Sequence, residues 1–230
     1  MIDFGNAEEQ RERINGPVPA GSIVLLKLEI QRPAKEEYAA KPGSYVSKSK
    51  GGLFLLNCMM TVAAGTYEGY HWYERFMLPE GMQRAPMNEG QKTACRISYS
   101  RLRAIVEAHR RVDPKDQSQR ARTARNLADW MDLNGMMFPC RLGLEKEPRT
   151  YKKKDGSQGL AWDNRVGYVL PISDKRFNEI ANGGEVITDG PVQGNMPATP
   201  YGNNDVPDSA DNGGIPGWDT PPVDNYDVPF

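Results

Sequence analysis

A change in composition near Asp189 limits how much of this chain can fold. Residues 189–230 contain eight Pro, six Gly and seven Asp residues, but no Glu, Lys or Arg. Such a segment cannot bury enough apolar surface to offset the entropy that is lost on ordering. The sequence therefore predicts a polar lead-in over residues 1–16, a folded domain over 17–188 and a disordered acidic tail over 189–230.

The same boundary separates two opposite net charges. All 29 Lys and Arg residues lie before Asp189, together with 23 of the 30 acidic residues, so the folded part carries +6 and the tail −7. A basic domain is typical of proteins that bind a polyanion. A tail that only improves solubility would account for the acidic segment equally well.

Five stretches with strand character predict a mainly β domain. Apolar residues alternate with polar ones in residues 22–31, and similar patterns recur in 53–62, 67–78, 136–147 and 160–171. A period of two places every second side chain on the same side of a strand. Each of these stretches therefore has one side that is predicted to face a core.

The third of these strands is the most aromatic stretch of the chain. We expect Trp72 and Phe76 to face the core, which leaves His71, Tyr73 and Arg75 pointing outward. The alternative, that all the aromatic side chains serve hydrophobic packing, stays open at this stage.

Helices are predicted between the third and fourth strands and after the fifth. One runs from near Ser98 to Val112, a second from about Ser118 to Leu133, and a short one over residues 174–181 with Ser173 as its cap. The arginines of the first two helices form either a basic patch or an ordinary solvated surface. They are Arg101, Arg103, Arg110, Arg111, Arg120, Arg122 and Arg125.

This order of elements favours a five-stranded OB-fold barrel with a helical insertion between strands 3 and 4. In such a barrel the loop between strands 1 and 2 and the loop between strands 4 and 5 flank the oligonucleotide-binding face. Both loops are rich in Lys and Tyr in this sequence. Cations neutralise phosphates and flat rings stack on bases, so the pattern indicates single-stranded nucleic acid. The candidate contact residues are Lys27, Tyr45, Lys48, Lys50, His71, Tyr73, Arg75, Arg141, Tyr151, Lys152, Lys153, Lys154, Trp162 and Arg165.

The C-terminal tip, residues 224–230, resembles the tip of bacterial single-stranded-DNA-binding proteins. Asp227, Val228, Pro229 and Phe230 match that pattern, although residues 225–226 are Asn-Tyr where the family has consecutive Asp. In that family the terminal Phe and its carboxylate dock in a basic-rimmed apolar pocket on replication and repair enzymes. The resemblance implies a partner-binding tip made of Asp224, Tyr226, Asp227, Val228, Pro229 and Phe230.

The body is similar to OB-fold proteins of phage and prophage replication modules, over about residues 17–175. The similarity lies in the Pro-Ala-Gly entry at residues 19–21, the aromatic third strand and the helices that follow it. Together the two resemblances imply a phage-type protein that binds and protects single-stranded DNA during replication, recombination or repair. The alternative is an adaptor or inhibitor of a replication enzyme that does not itself bind DNA.

Other function classes receive little support from the sequence. Cys58, Cys95 and Cys140 are too far apart in sequence for a zinc motif, and only His71 and His109 could join them. The sequence also offers no convincing nuclease-like carboxylate cluster, no phosphate loop of the G-x-x-x-x-G-K type and no Ser/His/Asp or Cys/His set. We therefore expect no metal, no cofactor and no enzymatic activity. The sequence has no apolar run long enough to cross a membrane and no secretory signal pattern, which predicts a cytoplasmic protein, in the bacterial host cell if it is phage-encoded. A homo-oligomer is compatible with the sequence, which does not fix the oligomeric state.

Overall fold

The computed structural model describes residues 17–144, 149–152, 157–161 and 163–189. It is mainly β, as predicted, with a six-stranded antiparallel sheet, a separate two-stranded hairpin and three α-helices. The main sheet contains β1 (Ile23–Ile30), β2 (Val46–Lys48), β3 (Phe54–Val62), β4 (His71–Met77), β5 (Met137–Leu144) and β8 (Asn164–Val169); the hairpin contains β6 (Arg149–Lys152) and β7 (Gln158–Ala161). The helices are α1 (Glu89–His109), α2 (Gln119–Arg125) and α3 (Phe177–Ala181), and short 3-10 helices span Glu36–Tyr38, Glu80–Met82 and Trp130–Leu133.

Strand β3 pairs with three other strands of the sheet. It pairs with β4, and it also pairs with β1 and with the short β2. Strand β1 pairs in turn with β5, and β5 pairs with β8, so β4 and β8 are the two end strands of the order β4-β3-β1-β5-β8. The described residues show no backbone pairing between β4 and β8. The closed barrel therefore remains a prediction.

The core lies on the side of the sheet that the alternation predicted. The alternating residues of β1, β3 and β5 that were expected to face the core are buried, except for the half-buried Phe54 and Leu144. The buried ones are Val24, Leu26, Leu28, Ile30, Leu56, Cys58, Met60, Val62, Phe138, Cys140 and Leu142. Trp72 and Phe76 of β4 are buried as expected. Apolar burial on one face of paired strands fixes their register, because a slip of one residue would expose the whole set.

The first helix begins about nine residues earlier than predicted. Asn88 and Gln91 form a reciprocal capping box, in which each side chain accepts the backbone N–H of the other residue at 2.9 Å. This cap stabilises a polar first turn that carries no apolar periodicity. The connection between β4 and this helix is therefore shorter than expected, and the helix ends at His109 rather than at Val112.

The predicted second helix is interrupted. Helix α2 ends at Arg125, and Asp129 caps a separate 3-10 turn by accepting the Met131 N–H at 2.9 Å. Asp and Asn side chains compete with the helical backbone for hydrogen bonds, so they favour turns and caps over helix interiors.

The C-terminal part of the domain also differs from the prediction. The expected fifth strand over residues 160–171 is divided between β7 and β8. Ser173 does not cap the last helix, because Asp174 binds the backbone and guanidinium of Arg176 and α3 starts only at Phe177. Phe177 and Ile180 are buried where α3 packs on β1 and β5.

Residues 183–188 form a segment that we call the C-terminal strap. Val186 pairs with Ile23, the Thr188 hydroxyl donates to the Ala20 carbonyl at 2.9 Å, and Glu185 accepts hydrogen bonds from Thr66. The strap therefore ties the end of the described domain to the start of β1. The predicted lead-in over 1–16 and the tail beyond Asp189 lie outside the described residues. None of the helices that the structure describes has the length and apolar character needed to cross a membrane.

Candidate nucleic-acid interface

The outward side chains of β1, β3 and β4 form one continuous surface, which we call the outer face. Register places His71 beside Thr61, Tyr73 beside Met59 and Arg75 beside Asn57. His71 is exposed, Tyr73 and Arg75 are half-buried, and the rings of His71 and Tyr73 meet edge to face at 6.3 Å. The outward orientation predicted for these three residues of β4 is confirmed.

Strand β1 extends the outer face on the other side of β3. Lys27 lies opposite Thr61 and Glu29 lies opposite Met59, so two cross-strand rows run from β1 to β4. Lys27 Nζ donates to Glu29 Oε1 at 2.8 Å, and both side chains are partly exposed. The predicted contact residue Lys27 is therefore present on the outer face, but it carries an acidic partner that the sequence analysis did not weigh.

Tyr45 lies at the edge of this surface, under an arginine that the sequence analysis missed. The Arg32 guanidinium is 4.8 Å from the centre of the Tyr45 ring, and its Nη2 donates to the Tyr45 hydroxyl at 2.9 Å. Ser47 lies in β2, two residues after Tyr45, and accepts a hydrogen bond from Asn57 Nδ2 at 2.7 Å. Asn57 thus links β2 to Arg75 of β4, while the half-buried Tyr45 packs against the core beneath Arg32. A basic residue beside the Pro that ends the first strand was the available signal.

The rest of the loop between β1 and β3 adds two exposed lysines. Lys48 ends β2 opposite Phe54, and Lys50 lies in the following turn. The guanidinium of Arg84 lies 5.9 Å from the Phe54 ring. Gln83, the residue before Arg84, is bonded to the backbone of Phe54. Its side chain accepts from the Phe54 N–H at 2.7 Å and donates to the Phe54 carbonyl at 3.0 Å.

The opposite side of β4 carries a buried carboxylate. Glu74 shares that side with Trp72 and Phe76, accepts the backbone N–H of Val166 in β8 at 2.8 Å, and lies 3.3 Å from Arg101 of α1. Burial raises the pKa of Glu74 to about 7, while the Val166 N–H and Arg101 act in the opposite direction. Glu74 is thus a contact between the two end strands of the sheet and the helix that packs against them.

Arg141 and Arg165 do not share the rows that contain Lys27 and His71. Arg141 lies opposite Ile23, four residues along β1 from Lys27, which corresponds to roughly 13 Å. Its guanidinium lies 5.6 Å from the half-exposed Tyr168 ring, and Arg165 lies opposite Gly143. These two predicted contact residues therefore form a second basic and aromatic area on β5 and β8.

The other predicted contacts fall wholly or partly outside what the structure describes. Tyr151 and Lys152 belong to β6, which pairs with β7 within the region that was expected to be the loop between strands 4 and 5, but their side chains lie outside the described part. Lys153, Lys154 and Trp162, and the tip residues Asp224, Tyr226, Asp227, Val228, Pro229 and Phe230, also lie outside it.

Most of the helix arginines that could have formed a patch make intramolecular bonds. Arg103 and Arg125 both donate to the buried Glu107 carboxylate, at 2.8 and 2.5 Å. Arg110 donates to the carbonyls of Ala124 and Asn126 at 2.8 and 2.7 Å. These bonds hold the segment after α1 against that helix, so the guanidinium groups are committed to the fold.

The described residues contain no group of three or more His, Cys, Asp or Glu side chains that could hold a metal ion. Cys58, Cys95 and Cys140 are buried, and burial raises the pKa of each thiol. A raised pKa keeps a thiol protonated and unreactive at neutral pH.

No protein-family model, curated protein or solved structure matches this chain significantly. The proposals below therefore rest on its own residues.

Proposed function

We propose that this protein binds single-stranded DNA on its outer face. The observation that carries the proposal is the register of β1, β3 and β4, which brings Lys27, His71, Tyr73 and Arg75 onto one surface. The Arg32–Tyr45 pair extends this surface at its edge. The proposed activity is binding and protection of the strand, with no catalytic step and no cofactor.

We further propose that the sheet is an OB-fold barrel. The strand order β4-β3-β1-β5-β8 and the position of α1 between β4 and β5 support this assignment. The bond from the Val166 N–H to Glu74 supports a seam between the end strands, at which a side chain replaces direct backbone pairing. In OB-folds the second and third strands of the barrel carry the oligonucleotide, and these correspond to β3 and β4.

The residue types on the outer face suit a single strand better than a duplex. Tyr73 and His71 supply rings on which unpaired bases stack, and each stacked base contributes about 1–3 kcal/mol regardless of its identity. Arg32 and Arg75 supply positive charge for the phosphates, whose neutralisation releases counterions. Stacking requires unpaired bases, so a duplex would use only the cations.

For the acidic tail we propose recruitment of replication or repair enzymes through its tip. The tip combines the apolar Phe230 ring with the acidic Asp224 and Asp227, which suits a basic-rimmed apolar pocket. Deleting Phe230 should abolish enzyme binding and leave DNA affinity unchanged. Loss of both activities would contradict a division of labour between tail and domain.

A binding assay over a salt series tests the main proposal. Fluorescence anisotropy with labelled oligothymidylate and with a duplex of equal length should show tighter binding to the single strand, and this affinity should fall as salt increases. Tyr73→Ala should weaken single-strand binding by about 1–3 kcal/mol. Tyr99→Ala is the matched control, because Tyr99 is an exposed tyrosine on α1, outside the outer face.

The competing function is that of an adaptor or inhibitor of a replication enzyme. In that case the oligonucleotide would not bind at low salt, and Tyr73→Ala would leave the anisotropy unchanged. Trp72 would be a poor reporter for such a titration, since its side chain is buried in the core.

A further inference from the structure

We infer that Glu29 acts as a built-in counterion on the outer face, which limits the affinity of the interface by holding Lys27 away from the DNA backbone. This inference rests on the proposed function. It assigns Glu29 as a residue that tunes DNA affinity and positions the neighbouring lysine.

The geometry makes Glu29 part of the interface rather than of the core. Residues 27 and 29 lie two apart on one strand, so their side chains share a side of the sheet. Lys27 Nζ and Glu29 Oε1 are 2.8 Å apart, and the side chains are 42% and 31% exposed. Glu29 is also in the row of Met59 and Tyr73, which places a negative charge within about 10 Å of the proposed stacking ring.

A carboxylate in this place opposes binding of a polyanion in two ways. It occupies the ammonium group that would otherwise neutralise a phosphate, and it repels the phosphates that pass beside Tyr73. An exposed ion pair of this kind adds little to folding stability. Stability therefore gives no strong reason for an acidic residue at the centre of a cationic and aromatic surface.

Removal of the carboxylate should release Lys27 for the DNA. Glu29→Gln should tighten binding of oligothymidylate at low salt about two- to fivefold, the range that the free energy of an exposed ion pair allows. One further neutralised phosphate should steepen the plot of log affinity against log salt concentration by about 0.7. Lys27→Met should cancel the gain in the Glu29→Gln variant, and it should cost the wild-type protein less affinity than it costs that variant.

Glu89→Gln provides a matched control on the full-length protein. Glu89 of α1 binds Lys92 at the same Nζ–Oε1 distance of 2.8 Å, outside the outer face. Both substitutions raise the net charge by one, so only a local effect separates them. Affinity and salt slope should stay at wild-type values in Glu89→Gln.

The outcomes separate this inference from the function on which it rests. The role of Glu29 would be overturned if both Gln variants gained the same affinity for oligothymidylate. It would also be overturned if Lys27→Met cost as much affinity in the wild type as in Glu29→Gln. Either result would leave DNA binding itself standing. If the wild-type protein does not bind oligothymidylate at low salt, the proposed function fails and the inference fails with it.

Discussion

The arginines of the helical segment and the cations of the outer face occur in the same chain but have different contacts. In residues 89–133, Arg103, Arg110 and Arg125 bind a buried carboxylate or backbone carbonyls. On the sheet, Arg32 lies against an aromatic ring and Lys27 holds a partly exposed ion pair. The difference shows that a count of basic residues does not locate a binding surface. Groups bonded to buried partners maintain the fold, while the exposed Arg32 and the partly exposed Lys27 belong to the proposed interface.

The largest expected effect belongs to the helical segment. Glu107→Gln should lower the free energy of unfolding by about 3–5 kcal/mol, because it removes the charge that compensates the largely buried Arg125. Urea unfolding measures this loss. The folded variant should keep its DNA affinity. Glu89→Gln on the exposed side of α1 should change stability by less than about 0.5 kcal/mol. A Glu107→Gln variant of normal stability but weakened DNA binding would mean that the helical segment, rather than the sheet, contributes to the binding surface.

The second effect concerns the sheet and depends on pH. The pKa of Glu74 rises from 4.5 to about 7 on folding, so between these values the folded state binds a proton that the unfolded state has released. The contribution of Glu74 is therefore fully present below pH 4.5 and is lost as pH rises to about 7, by about 3 kcal/mol. Glu74→Gln should remove this slope, which urea unfolding at several pH values will show. Parallel pH curves for the two proteins would contradict a perturbed Glu74.

The smallest effect tests the exposed side of the comparison directly. Arg32→Ala should reduce single-strand affinity by about 1 kcal/mol, because it removes a phosphate-binding charge and the support of the Tyr45 ring. Arg103→Ala is the matched control, since Arg103 is half-exposed but bonded to Glu107. Anisotropy titrations should leave the control unchanged. An equal loss in both variants would mean that net charge, rather than position, determines affinity.

Alternation along single strands predicted the core and the outward residues of β4, because burial on a strand depends on a short-range period of two. The capping box at Asn88 and Gln91 was present in the sequence, but it lies in a polar turn without the periodicity used to place the helix. Contacts between segments that are far apart in the sequence could not be predicted from such local patterns. Glu74 meets Val166 across 92 residues, and a carboxylate on the core side of a strand contradicts the pattern that located the strand.

Only part of the proposed interface could be predicted from the sequence, because alternation is local and contacts between distant segments are not. The outward orientation of Tyr73 and Arg75 follows from the alternation along one strand, whereas the Arg32–Tyr45 pair depends on how a long loop folds back. Lys27 and Glu29 could both be read from β1, but only the structure shows that they bind each other in the row beside Tyr73.

The C-terminal strap determines where a force on the proposed recruitment tail would enter the domain. Val186 pairs with Ile23 and Thr188 bonds to Ala20, immediately before the chain continues into the tail. Any tension applied to that tail by a bound enzyme reaches the domain at the first residues of β1. Strand β1 lies between β3 and β5 in the sheet and carries Lys27 and Glu29. A pull on the tail would therefore load one of the three strands of the proposed DNA-binding face, rather than a peripheral loop.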